Sequence, residues 1–475
     1  MSKYKNIILL AFMLAIFTIT TTRAAITCIT YDEASNYMHY SRPFNLLIKS
    51  GFDLNLFLKN FAGKLSHNDN SRVREQDQKI LDTGEVLSGS ATKPLDAAQR
   101  FDEKFKRMGL YGASYWEKIK KLGDYVTNNN HILNTLCMSL VEFLFNTHYD
   151  EFAIRLPVLI FFAIYLFAVY RCYKNNLISF TCAFLLCGNY YLCEFYGLAR
   201  GYGYAHTLLF LVCIAYIYWQ KSNFNANKYL IALMTLLLLA ASANTISLLI
   251  FPAFGALTLF RLYQQDNLKK FILSHKIFVS LFFIIAFMLV GYHFFINTEG
   301  KPGGGGPDFY NSVILSYAKM FAPYNLSLAN ILACAMLGAA LIAFVISIIK
   351  NKIKNCDFVL MLIIFVLTIL LMQFLTHKGY MADRAALPFY CFIIFALREL
   401  FRDLKIKYLN ISLCVLCLIS FASQIDLHAT RDWHDNYHCR DKILKAYMTG
   451  VNYEVEERIW ATEKFYDDKY AEIIK

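Results

Sequence analysis

HILNTLCMSLVEFLF, residues 131–145, is the stretch on which the reading of the whole chain turns. It is apolar, carries Glu142, and falls short of the ~20 residues a helix needs to cross a bilayer. It is either a short span or a helix lying in the interface, and every later loop changes sides with that choice. Eleven other apolar runs flank it. One lies before it, at about 6–22. Ten follow, at about 154–171, 177–194, 204–219, 229–244, 246–261, 276–295, 326–349, 358–376, 384–401 and 408–424.

Basic residues decide between the two. Suppose 131–145 stays on one side and the N-terminus, with Lys3 and Lys5, is cytoplasmic. The cytoplasmic segments then hold 17 basic residues, among them Lys269, Lys270, Lys350, Lys352, Lys354, Arg402, Lys405 and Lys407. The opposite short loops hold five: Arg200, Lys301, Lys319, Lys378 and Arg384. Lys and Arg accumulate in cytoplasmic loops, so this arrangement is the expected one. A crossing at 131–145 would invert the later loops and move 15 of the 17 outside.

Composition agrees with this architecture. The chain has 475 residues, 57% of them hydrophobic and only 17% charged, a balance that excludes an ordinary soluble domain. The net charge of +12 comes from short loops between apolar runs, not from a basic face or stripe, which excludes a nucleic-acid binder. Most of the thirteen cysteines, such as Cys182, Cys187, Cys213, Cys334 and Cys391, lie inside apolar segments; so does the CxxC of Cys414 and Cys417. They read as packing residues. The opening MSKYKNIILLAFMLAIFTIT has the look of a signal peptide, but with ten further hydrophobic runs behind it we read it as a retained first helix.

The expected fold is therefore an all-α integral membrane protein of about eleven transmembrane helices. Residues 1–22 form the first helix, and 23–153 an extracytoplasmic loop with interfacial helices. Residues 154–424 form a bundle of about ten helices, and 425–475 an extracytoplasmic helical tail. This topology gathers several polar stretches on one outer face: TYDEASNY (30–37) with Asp32 and Glu33, NNNHIL (128–133), EFYGLARGYG (194–203) and HKGYMADRAALP (377–388). Taken singly, carboxylates at helix ends simply meet water and interfacial arginines snorkel. Taken together, they offer a carboxylate able to accept a proton and cations able to grip a phosphate. Arginine suits that grip because its planar fork donates two hydrogen bonds at once. The Gly-rich PGGGG (302–306) lacks the strand before it and the GK[ST] after it that a phosphate-binding loop requires, and reads as a linker. His428, His434, His438 and Cys439 are too irregularly spaced for a zinc site.

Five stretches in order resemble a known family: TYDEASNY, NNHILNTLCMSLVEFLF, DEFAIRLPVLIFF, LARGYGYAHTLLF and DRAALPFY. They are similar to the membrane-embedded glycosyltransferases of the C-type fold (GT-C), in particular the bacterial relatives of protein O-mannosyltransferases and aminoarabinose transferases. The resemblance covers about 5–60 and 125–425. It implies a polyprenyl-phosphate sugar as donor and an acceptor lipid, glycan or protein on the extracytoplasmic side of a bacterial inner (plasma) membrane. It implies catalysis by Asp32 as general base, with Glu33 at the second acidic position. Arg200, Arg384, His131 and Lys378 would hold the donor phosphate. Two arginines suffice to neutralise a monophosphate leaving group, so no metal or other cofactor is expected. The chain departs from the family in an insertion at about 62–125, whose effect on acceptor choice is open. The rival reading is a secondary transporter, which would place ionisable residues at mid-bilayer and show paired broken helices. A non-catalytic scaffold would leave the acidic pair and outer arginines unexplained.

Overall fold

The computed structural model describes residues 2–27, 29, 30, 33, 34, 37, 131–145, 149–290, 331, 357–376, 387–401, 409–425, 448, 449, 465, 466 and 469. Among these, all regular structure is helical. In chain order the helices are α1 (Ser2–Ile26), α2 (Ile132–Phe145), α3 (Glu151–Lys174), α4 (Phe180–Cys187), α5 (Tyr190–Tyr196), α6 (Gly201–Lys221) and α7 (Asn227–Ala243). A 3-10 turn, Thr245–Ile250, leads into α8 (Phe251–Gln264), followed by α9 (Leu268–Ser274), α10 (Lys276–Val290), α11 (Asp357–Thr376), α12 (Tyr390–Phe401) and α13 (Leu409–Ala422). Four segments among the described residues are long and apolar enough to cross a membrane: Tyr4–Ile26, Glu151–Lys174, Gly201–Lys221 and Thr245–Gln264. The expected run 326–349, apart from Ile331, and the insertion at about 62–125 lie outside the described residues.

Helix α6 is the hub. It is apolar on every side, as a helix must be when neighbours surround it, and it packs against α3, α7 and α12. Tyr204, Phe210, Tyr216 and Trp219 are all fully buried along it. Helix α1 lies on α3 and α5, while α11 lies on α12 and α8. Local chemistry fixes the ends. Asp150 caps α3 by accepting from the N–H groups of Phe152 (2.9 Å) and Ala153 (3.1 Å). Glu151 sits in its first turn and Arg171 and Lys174 in its last, each sign facing the helix-dipole end that favours it.

The expected span 177–194 is not one continuous helix. The run 177–194 breaks at Gly188 and Asn189 into α4 and α5. Asn189 adopts an extended conformation and its side chain caps α5 by accepting from Tyr191 N–H at 2.9 Å. A Cβ on residue 188 would overlap Cys417 Sγ, which itself donates to the Gly188 carbonyl at 3.3 Å. The hydrophobic pattern runs straight through this break, because Gly and Asn between apolar neighbours hardly lower its average.

The helices define two ends. At one, Arg171, Lys174, Lys221, Lys228, Lys269, Lys270 and Lys276 are exposed. Here Arg261 pairs with Asp357 across α8 and α11, and Tyr216 donates to the same carboxylate at 2.7 Å. Glu399 of α12 accepts from the first N–H groups of α11, at Phe358 (2.9 Å) and Val359 (3.1 Å). At the other end lie the start of α3, the start of α6 and the end of α7. Both ends of α2 make contacts there: His131 bonds the Ala243 carbonyl, and Tyr37 donates to Glu142 at 3.2 Å. A 14-residue helix spans about 21 Å, short of a ~30 Å hydrocarbon core. Helix α2 thus lies across one end of the bundle, with Leu140, Phe143, Leu144 and Phe145 exposed along it.

Candidate functional site

At the end that α2 covers, the chain buries an ion pair. Arg155, in the second turn of α3, reaches back to Glu33, and both side chains are 0% exposed. The pair is bidentate: Arg155 Nε donates to Glu33 Oε1 and Nη2 to Oε2, each at 2.8 Å. Two backbone donors complete the carboxylate, Ala199 N–H to Oε1 at 2.6 Å and Thr30 N–H to Oε2 at 2.9 Å. Burial alone would raise the pKa of Glu33. The Arg155 charge, its fork and the two backbone donors outweigh that and hold it below its ordinary value, so Glu33 is an anion. Arg155 Nη1 donates to the carbonyls of Ala24 (2.9 Å) and Thr27 (2.7 Å), groups at the end of α1 that the helix itself leaves without donors.

The residue after Ala199 is Arg200, the N-cap of α6, in extended conformation and 8% exposed. The loop carrying it is held twice, because Asn134 of α2 donates to the Ala199 carbonyl at 3.0 Å while Ala199 N–H goes to Glu33. The Arg200 side chain does not cap α6, and the positive end of the helix dipole is directed at this loop. Arg200 stands 5.5 Å from the Tyr202 ring centroid, and His131 meets the same ring edge-on at 5.3 Å. His131 Nδ1 lies 3.1 Å from the Ala243 carbonyl, an acceptor only, so Nδ1 carries the hydrogen of that bond. Gly201 makes this approach possible, since a Cβ there would overlap the Ala243 carbonyl oxygen and crowd His131 Nδ1. Arg23, near the end of α1, adds a third arginine at this end, donating to Tyr190 OH at 2.8 Å.

Of the residues expected from sequence, Glu33, His131 and Arg200 come together around the loop 198–202. Asp32, Arg384 and Lys378 lie outside the described residues. Glu33, expected beside Asp32 in the reaction, has its carboxylate enclosed by Arg155 and two backbone N–H groups, those of Thr30 and Ala199. Sequence reasoning missed Arg155, Arg23 and Asn134. The signal for Arg155 was present, because a lone charge early in the apolar helix DEFAIRLPVLIFF calls for an acidic partner. Nothing in the sequence says that the partner lies 122 residues earlier. No family model, curated protein or solved structure matches this chain.

Proposed function

We propose that the chain is an integral-membrane glycosyltransferase that moves a sugar from a polyprenyl-phosphate donor to an extracytoplasmic acceptor lipid, glycan or protein. The observation that carries this reading is the meeting of Arg200, His131 and the Glu33 lock at one end of the bundle, where the acidic segment, α2 and the start of α6 converge. The ordered sequence resemblance to GT-C enzymes supports it as well.

In this mechanism Asp32 takes the proton of the acceptor's hydroxyl or amine as that atom attacks the anomeric carbon. The bond from anomeric carbon to phosphate oxygen breaks, its electrons stay on the oxygen, and polyprenyl phosphate departs. Arg200 and the positive end of α6 stabilise the charge that grows on the phosphate, with Arg384, His131 and Lys378 completing the anion site. Glu33 fixes the segment by its bond to Arg155, and α2 lies in the interface beside the lipid-linked donor. The test is transfer from a polyprenyl-phosphate sugar by purified protein, with donor binding measured separately. Asp32→Asn keeps the shape and removes the basicity, so transfer is nearly abolished while the donor still binds. Full transfer by Asp32→Asn refutes the assignment.

A second reading, the secondary transporter, is favoured by one observation: α4 and α5 form a discontinuous helix with Asn189 at its break. Uptake of a labelled solute into proteoliposomes in the absence of any lipid-linked sugar separates the two readings.

A further inference from the structure

The far C-terminal segment returns to the candidate site. Phe465 and Tyr466, both fully buried, pack against the chain that follows α1. Tyr37, Tyr149 and Phe465 form a closed triangle of edge-to-face rings, with centroids 5.5, 5.5 and 5.4 Å apart. Tyr37 is fixed in turn, its hydroxyl donating to Glu142 of α2 at 3.2 Å and accepting from Tyr149 N–H at 3.3 Å. Ile29, three residues beyond the end of α1, donates its N–H to the Tyr466 hydroxyl at 2.9 Å across 437 residues of chain. Lys469 pairs with Glu151 in the first turn of α3. These contacts join four pieces of chain within a few residues of the Glu33–Arg155 pair.

We infer that Phe465, Tyr466 and Lys469 form a clasp that holds the segment carrying Glu33 against the start of α3, which makes Tyr466 a positioning residue for the transfer reaction. The catalytic consequence rests on the transferase reading; the clasp itself does not. Ile29 lies beyond the end of the helix, and the tail supplies an acceptor for its N–H. Loop closure over such a length of chain is costly, and the contact holds because the ring triangle and the Lys469 pair dock the tail as a unit. The clasp meets the acidic segment at Ile29 and Tyr37, and Arg155 holds it at Glu33. Its release frees the segment without touching α6 or α7.

Hydrogen–deuterium exchange on the full-length protein in nanodiscs tests the clasp. Tyr466→Phe keeps the ring and removes the hydroxyl that accepts from Ile29, and should speed exchange at Ile29 by about tenfold, the factor one hydrogen bond's net worth corresponds to. Lys469→Glu, a partly exposed position where the new charge opposes Glu151, should loosen residues 27–37 in the same direction. Peptides from α6 and α7 should exchange as in the wild type. Unchanged exchange at 27–37 in both variants overturns the clasp, and so does an equal rise in α6 and α7, which marks general unfolding. In the transfer assay Tyr466→Phe should lower kcat about tenfold and leave KM for the polyprenyl-phosphate sugar unchanged, the signature of lost positioning without lost binding. Raised exchange with an unaltered kcat overturns the positioning role. A wild type without transfer overturns the transferase reading, and the exchange result then still decides the clasp.

Discussion

Glu33→Gln replaces one carboxylate oxygen by an amide NH2 and changes nothing else in shape. In the native chain each oxygen accepts two hydrogen bonds: Oε1 from Arg155 Nε and Ala199 N–H, Oε2 from Arg155 Nη2 and Thr30 N–H. Whichever oxygen is lost, two donors face a third donor, and the Arg155 charge stays buried without its counter-ion. Removing one partner of a buried ion pair costs about 3–5 kcal/mol, a large part of the roughly 5–15 kcal/mol by which proteins are stable. Arg155→Met costs a similar amount, because Glu33 is stranded and the Ala24 and Thr27 carbonyls lose their donor. Combining the two removes both charges, so the double variant should fall short of the sum by about 2 kcal/mol or more. SDS titration followed by tryptophan fluorescence measures all three. A Glu33→Gln cost below about 1 kcal/mol, or strict additivity in the double variant, refutes the lock. The pH dependence has a definite sign. A carboxyl whose pKa is lower in the folded chain than its ordinary 4.5 stabilises above that value, and the contribution disappears as pH falls through the lower one. The wild type should lose stability below about pH 4.5, and the double variant should lack that component.

The remaining predictions concern the loop and the topology. Gly201→Ala forces its Cβ onto the Ala243 carbonyl and should push the start of α6 off α7, costing about 1–3 kcal/mol in the same titration and displacing Arg200. Arg200→Ala should lower the transfer rate by roughly 2–4 kcal/mol of transition-state stabilisation, the effect of deleting one oxyanion donor; an unaltered rate removes Arg200 from the site. Labelling with a membrane-impermeant thiol reagent should find positions 110 and 450 outside and positions 173 and 265 inside. Finding 110 and 450 on opposite faces would mean that 131–145 crosses.

Helix identity was legible wherever apolar character was sustained. The expected starts and ends of α1, α3, α6, α7, α11 and α13 lie within a few residues of those observed, because composition alone carries that information. The break at Gly188–Asn189 was not legible. It depends on Cys417, a residue of α13, filling the space beside Gly188, and no local window contains that fact. The site divides in the same way. His131 and Arg200 stood out as polar residues beside apolar runs. Tyr202, the ring they share, looked like one more aromatic in a chain with 32 tyrosines. Arg155 was visible as an anomaly, but its partner was read as a second reactive acid. The pairing of two side chains from distant segments is a property of packing, and a one-dimensional pattern records only that each of them needs something.

That pairing also bears on why two acids stand side by side after α1. Two free carboxylates at adjacent positions would repel, and repulsion raises the pKa of one and weakens it as a permanent anion. Glu33 is instead paired with Arg155 inside the protein, and the transferase reading gives the two acids different roles. The same bond sets geometry. Contacts run without interruption from the Ala24 carbonyl through Arg155 and Glu33 to Ala199 N–H, and the next residue is Arg200. The segment that holds Glu33 and the loop that carries Arg200 are thus tied through one carboxylate. A reaction that takes a proton at one point while a phosphate departs at another needs such a fixed separation, since misplacement by about 1 Å can cost a hundredfold in rate. In the transferase reading, Glu33 would set where the reacting groups stand without itself reacting.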